Sequence, residues 1–218
     1  MSLKVQGADK YSPEKLTEFE KNVETQLASS TFNLDANLAL LRLYQFHPSL
    51  IKVPVIVKIL LKAITQLPGA EYKACIHLVH ERLQAEEDIA RVMEMAAALE
   101  SGRLNDFWNK ASSSRDLIAA VPGFYEAVRS FSVHLLSISF RKVSRKVLAE
   151  SVALEGITLE QMIQARVLSS GWSLVSSPGG DLIVLPRSEH NQIVVKRTQD
   201  VITFDQIAPV LAAVTVGY

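Results

Sequence analysis

VSRKVLAESVALEGITLEQMIQARVLSSGWSLVSSPGGDLIVLP, residues 143–186, reads as a short helix, a turn, a second helix and a two-stranded hairpin. Ser144 is placed to cap the first helix, and Val147, Leu148, Ser151, Val152 and Leu154 form its mostly apolar face. Gly156 breaks that helix. Thr158 with Gln161 has the spacing of a capping box, so a second helix is predicted to begin there. Its apolar positions Leu159, Met162, Ile163, Ala165 and Val167 recur at helical period, and Gly171 is placed to end it. Trp172–Val175 and Leu182–Leu185 then flank Ser176–Asp181, a connection rich in residues that accept turn dihedrals. Helix, turn, helix and hairpin together specify a winged helix.

Upstream the pattern is helical throughout. Ser12 with Pro13 opens a helix whose buried stripe is Leu16, Phe19, Val23 and Leu27. Asn33 begins a second with Leu34, Leu38, Leu41 and Tyr44 on one side, and Leu40 and Leu43 widen that stripe enough to demand neighbours on two sides. His47-Pro48 stops it and Pro54 starts a third, with Ile56, Ile59, Leu60, Ala63, Ile64 and Leu67 inward and Lys58 and Lys62 towards solvent. After Pro68-Gly69 a fourth helix carries Tyr72, Cys75, Ile76, Val79 and Leu83. Glu86-Glu87-Asp88 suits the positive end of a fifth, and Asn105 caps a short sixth containing Phe107 and Trp108. The starts recur every 16 to 21 residues or so, giving helical hairpins of about 33–41 residues, the range of HEAT-like arrays.

Ser112–Ser114 and Val121-Pro122-Gly123 bracket the boundary to a long helix from Phe124. The fold class expected is therefore mainly α: a HEAT-like helical-hairpin array at 1–122, a winged-helix domain at 123–200 with its small antiparallel hairpin, and a C-terminal helix and tail at 201–218. Met1 to Asp9 reads as a loose leader, and Ile193–Val195 as an apolar run. Thr203 caps the last helix, which sets Phe204, Ile207, Leu211 and Val214 at i, i+3, i+7 and i+10. Phe204, Ile207 and Leu211 either face a partner or pack back on the chain's own core.

Composition narrows the function classes. Of 218 residues, 48% are hydrophobic and 21% charged, ordinary for a chain with a buried core, and the formal net charge is zero. Nothing global draws the chain to nucleic acid or an anionic membrane. A single cysteine, Cys75, cannot form an internal disulfide and fits a reducing compartment. No run of roughly 18 apolar residues offers a membrane span. A cytoplasmic location is expected.

Several groups invite a chemical reading. Cys75, His77, His80 and Glu81 lie close in sequence, but on a helix Cys75 and His77 are about 200° apart and only the two histidines share a face. No metal is expected there. Pro178-Gly179-Gly180-Asp181 lacks the Gly-Lys-Ser/Thr of a phosphate loop, and no GxSxG, HExxH or GxGxxG spacing occurs. No catalytic residues and no cofactor are expected. Arg141, Lys142, Arg145 and Lys146 form the one basic cluster, and a continuous helix would turn all four to one side. They are candidates for protein or RNA contact, together with Arg166, the one cation of the second helix of the pair. Residues 126–218 hold nine basic and eight acidic side chains, poor equipment for gripping a duplex.

VSRKVLAESVAL and ITLEQMIQARVLSSGW, following helical hairpins, resemble the PCI family of scaffold subunits in the proteasome lid, the COP9 signalosome and eukaryotic translation initiation factor 3. YSPEKLTEFEKNVETQ, FNLDANLALLRLYQFHP and the helix ending ILLKAITQLP closely resemble the subunit k branch of initiation factor 3. The likeness runs from about Tyr11 to the final helix, and is weakest at Arg141–Lys146 and Pro186–Asp200. It implies a HEAT-like domain joined to a winged helix, and a non-enzymatic scaffold in translation initiation whose partners are other subunits of that factor. Subunit l is the partner the likeness implies first, with the terminal helix joining a helical bundle and the small ribosomal subunit reached through the complex. The alternatives are a winged-helix nucleic-acid-binding regulator, and a proteasome-lid or signalosome subunit.

Overall fold

A computed structural model describes residues 12–177, 180–192 and 203–215. The leader at Met1–Asp9, the apolar run Ile193–Val195 and the turn tip Pro178-Gly179 lie outside them. The chain is mainly helical with a small antiparallel sheet. It opens with a 3-10 turn at Pro13–Lys15, which takes Pro13 without a hydrogen bond from the Ser12 side chain. Helix α1 (Leu16–Ala28) buries the four expected residues and also Gln26. Helix α2 (Leu34–Phe46) is capped by Asn33, whose side chain accepts from the Ala36 N–H. Its buried stripe is centred on Ala36, Leu40 and Leu43, with Leu34 and Leu38 only half-buried at its edge.

One polar link between these helices has no signal in the hydrophobic pattern. Gln26 donates to Asn37 Oδ1 at 3.0 Å and accepts from Asn37 Nδ2 at 3.2 Å. Gln26 also donates to Asn22 Oδ1 at 2.7 Å and accepts from the Asn33 N–H at 2.8 Å. A buried primary amide is tolerable when its donors and acceptor are matched in this way, and it pins the hairpin's register.

Helix α3 (Val53–Ile64) is the hub of the N-terminal half, packed against α1, α4 (Glu71–Ile76), α6 (Glu87–Glu100), α8 (Arg115–Ile118) and α9 (Phe124–Ser139). That position corrects one expectation: Lys62 is not on a solvent face but is 5% exposed. Its stem fills the core, and burial holds its amine below the usual lysine range. The expected fourth helix is two, α4 (Glu71–Ile76) and α5 (Glu81–Gln84). Helix α6 (Glu87–Glu100) begins at the acidic triplet, and α7 (Leu104–Ser113) starts at Leu104, with Arg103 rather than Asn105 at its N-cap. Ser112 and Ser113 close α7, and Ser114 leads into the single turn α8 (Arg115–Ile118).

Helix α9 (Phe124–Ser139) follows Gly123, which takes φ +75°, a left-handed conformation that glycine adopts without strain. The buried apolar residues form two clusters. Phe124 and Val128 of α9 belong to the larger, Val133 and Leu136 to the smaller. One helix thus runs through both cores. Across the seam, buried Trp108 Nε1 donates to Ser151 O at 2.8 Å, and Arg129 Nε donates to Val152 O at 3.2 Å. Both acceptors lie in the last turn of α10 (Arg145–Val152), where carbonyls lack intrahelical partners and the dipole favours a cation. Arg129 also sits 5.7 Å from the Trp108 ring centroid, and Trp108 stacks on Tyr125 at 6.3 Å.

In the C-terminal half Ser144 caps α10 as expected, accepting from the Val147 N–H at 3.3 Å. Leu148, Ser151 and Val152 are buried, but Val147 is exposed. Helix α11 (Gly156–Ser170) begins at Gly156, two residues early. Thr158 Oγ1 donates to Glu155 O instead of forming a capping box with Gln161. Leu159 and Ile163 are buried, Met162 and Val167 half-buried, and Ala165 is exposed. Gly171, at φ +67°, closes α11 as expected.

The expected two-stranded hairpin is part of a three-stranded sheet. Strand β1 (Lys142–Ser144) lies beside β3 (Gly180–Val184), which pairs with β2 (Ser173–Ser177), in the order β1-β3-β2. Both pairings are antiparallel, with Val143 opposite Ile183 and Leu174 opposite Ile183. Val143, Ile183, Leu185 and Trp172 close the smaller core. A final helix, α12, spans Phe204–Thr215.

Candidate functional site

Helix α12 carries a row of exposed apolar side chains. Phe204 is 74% exposed, Val210 63% and Val214 65%, and Ile207 and Leu211 are also exposed. The backbone N–H of Thr203 donates to Gln206 Oε1 at 3.1 Å, the reciprocal half of a capping box that starts the helix. Pro209 lies within it, removing one ladder hydrogen bond. Phe204, Ile207 and Leu211, the three residues expected either to face a partner or to pack back on the core, are exposed. A second apolar group lies on α11 and the hairpin: Ile157 and Leu168 are 77% and 88% exposed, and Leu174 and Val175 are also exposed. On α12 the exposed residues Phe204, Ile207, Leu211 and Val214 follow one helical face, which makes it a candidate interaction surface.

The basic cluster is not brought together as its spacing suggested, because no single helix carries it. Arg141 lies in the segment before β1, Lys142 in β1, and only Arg145 and Lys146 in the first turn of α10. Arg145 pairs with Glu160 of α11 and, at 3.8 Å, with Asp181 of β3, so it ties three elements together. Lys146 lies 3.9 Å from Glu150. The Arg141 carbonyl accepts from the Leu185 N–H at 3.0 Å. Carboxylates neutralise half of the group, leaving a weak field for a polyanion.

Arg166 stands apart from these four. It is half-buried on α11 and lines a cavity of about 360 Å³ between α9, α11 and the segment after β3. His134 and Arg187 line the same cavity. Neither drew attention in the sequence, since residues 134, 166 and 187 converge only through the tertiary fold.

His80 and Cys75 have local explanations. His80 is the N-cap of α5, its Nδ1 accepting from the Arg82 N–H at 3.2 Å. Cys75 is wholly buried, and burial followed by the charge of Glu71 pushes its thiol up to about 12. Such a thiol is a poor nucleophile and metal ligand. Among the described residues no three metal-ligating side chains converge, and no helix is long and apolar enough to cross a membrane.

A sequence model of the CSN8/PSMD8/EIF3K family matches residues 50–193. Over 209 residues the chain is 32% identical to the protein named Eukaryotic translation initiation factor 3 subunit K of Xenopus tropicalis, spanning 96% of this chain and 93% of that one. The Homo sapiens protein of that name is 31% identical over the same shares of the two chains. That of Danio rerio is 29% identical over 208 residues, 95% of this chain and 92% of its own length.

Proposed function

Because the chain belongs to the CSN8/PSMD8/EIF3K family, we propose that it is a non-catalytic scaffold subunit of eukaryotic translation initiation factor 3. Its near full-length likeness to proteins named subunit K supports membership of that complex in preference to a proteasome lid or signalosome. The N-terminal helices are read as a HEAT-like array over 1–122. Residues 123–200 are read as a winged helix, with α10 and α11 as the helix pair and β2–β3 as the wing; antiparallel β1-β3-β2 pairing supports that reading. Residues 201–218 form the partner-binding tail.

The observation that carries the scaffold role is the apolar face of α12. Burying such a face is worth roughly 25 cal/mol per Å² of apolar surface, which a helix of another subunit would supply. Subunit l is the partner proposed, and the small ribosomal subunit is reached through the assembled complex. The dispersal of the basic cluster over three elements, with Arg145 and Lys146 paired to carboxylates, weakens the main support for a nucleic-acid-binding regulator.

Affinity purification from the native cell, with the co-purifying chains identified by their peptides, tests this reading. Other subunits of the factor should dominate, and the protein should co-sediment with the small ribosomal subunit. Recovery with lid or signalosome subunits, or only in chromatin fractions, would overturn it.

A further inference from the structure

The cavity that Arg166 shares with Arg187 and His134 carries a more specific inference. Its walls come from α9, α11 and the segment that follows β3. Among the described residues no carboxylate lines it. Neither arginine forms an ion pair among the described residues. The hollow beside α10 differs, setting Lys146 against Glu150 and Glu155. Hydroxyls of Ser130, Ser170 and Ser188 complete a polar lining.

The wall that holds Arg187 is braced. Asn191 Nδ2 donates to Pro186 O at 2.8 Å and to Ser137 O at 2.9 Å, the latter in the last turn of α9. Asn191 Oδ1 accepts from the Ser188 N–H at 2.9 Å, and the Asn191 N–H donates back to Ser188 Oγ at 3.3 Å. One side chain therefore fastens the segment 186–191 to α9. Arg187 is held at the cavity by a fixed backbone, which lowers the ordering cost of binding.

We propose that this cavity is a docking pocket for a phosphorylated serine or threonine of a partner polypeptide. Two guanidinium groups match a phosphomonoester dianion, each able to give parallel N–H···O bonds, and an imidazole and hydroxyls add donors. A volume of about 360 Å³ accommodates one phosphorylated side chain with part of its backbone. An RNA strand suits it less. Trp172, the one indole of its lining, is 5% exposed and offers no face for a base.

The test uses the full chain and four probes: inorganic phosphate, a degenerate peptide pool centred on phosphoserine or phosphothreonine, the same pool unphosphorylated, and a short uridine oligonucleotide. Inorganic phosphate should shift the Ser170 and Ser188 amides and the Arg166 and Arg187 Nε–H resonances. The phosphorylated pool should bind about tenfold or more tighter than its unphosphorylated counterpart, and Arg166→Gln and Arg187→Gln should each erase that difference. Asn191→Ala should weaken phosphopeptide binding with both arginines intact, whereas Lys142→Gln should leave it unchanged. Equal binding of the two pools, phosphate shifts confined to other regions, or a preference for the oligonucleotide that the two arginine variants abolish, would each overturn the proposal.

Discussion

Lys62 sits where its charge type argues that it should not. The helical period of α3 marks one apolar face and sets Lys58 and Lys62 opposite, and Lys58 does reach Glu24 in a surface ion pair at 2.7 Å. Lys62 is enclosed because α3 has neighbours on several sides, a fact of tertiary packing that a single stripe does not encode. Among the described residues its amine has no ion-pair partner. Lys62→Met, which keeps the stem and drops the charge, should raise stability by about 1 kcal/mol in denaturant unfolding; a loss of that size would contradict its burial.

Burial has the opposite sign for Cys75 and Tyr72. Cys75 is pushed from 9.0 and Tyr72 from 10.0, each to about 12, by burial first and then by Glu71 and Glu100 respectively. As pH rises, the unfolded state releases these protons before the folded state does. The stability they contribute is complete below about pH 9 and is lost between about pH 9 and 12. Lys62, lowered by burial, opposes that loss in the alkaline range, so Lys62→Met should steepen it. Unfolding midpoints measured across that range check both statements, and the Cys75 thiol should react with alkylating reagents only on unfolding.

The hairpin of α1 and α2 depends on unequal amide partners. Gln26 serves Asn22, Asn33 and Asn37, while the Asn37 side chain is held by Gln26. Gln26→Leu strands the Asn37 amide and the Asn33 N–H and should cost roughly 1–3 kcal/mol. Asn37→Leu leaves Gln26 two partners and should cost clearly less. Equal losses in matched denaturant titrations would sink this account.

At the same scale the helix ends at Asn33, Ser144, Gly123 and Gly171 were legible, because these residues act through local backbone chemistry, whereas Asn105 and Thr158 do not cap the helices expected of them. The break between α4 and α5 was not legible, since apolar residues from Tyr72 to Leu83 keep helical spacing across it while His80 takes an extended conformation. Strand β1 was missed for another reason. Three residues have no period of their own, and their partner strand lies about 40 residues downstream.

For the molecule as a whole, the mainly helical character and the small antiparallel hairpin could be read from pattern, whereas the two apolar clusters meet within α9, between Val128 and Val133, rather than at Pro122. The candidate surfaces were legible unevenly. Phe204, Ile207 and Leu211 declare themselves by helical spacing at the end of the chain. Arg166, His134 and Arg187 meet only once α9, α11 and the segment after β3 have packed. If α12 is the docking face, Phe204→Asp, Ile207→Asp and Val214→Asp together should abolish co-purification of partner subunits while leaving the melting temperature of the isolated chain within error, as substitutions at exposed positions do. A matching fall in melting temperature would assign the face to this chain's own core.

The passage of α9 through both cores also fixes a phase. Phe124 and Val128 lock its first turns into the array, and Val133 and Leu136 carry the smaller unit five residues further on. Adding a single residue between Val128 and Val133 would turn everything downstream by about 100° and advance it about 1.5 Å. Each core would keep its composition, but the seam bonds of Trp108 and Arg129 would point at empty space. The array therefore works as a mount with one angular setting, and the aim of the C-terminal surfaces is written in the number of residues along one helix.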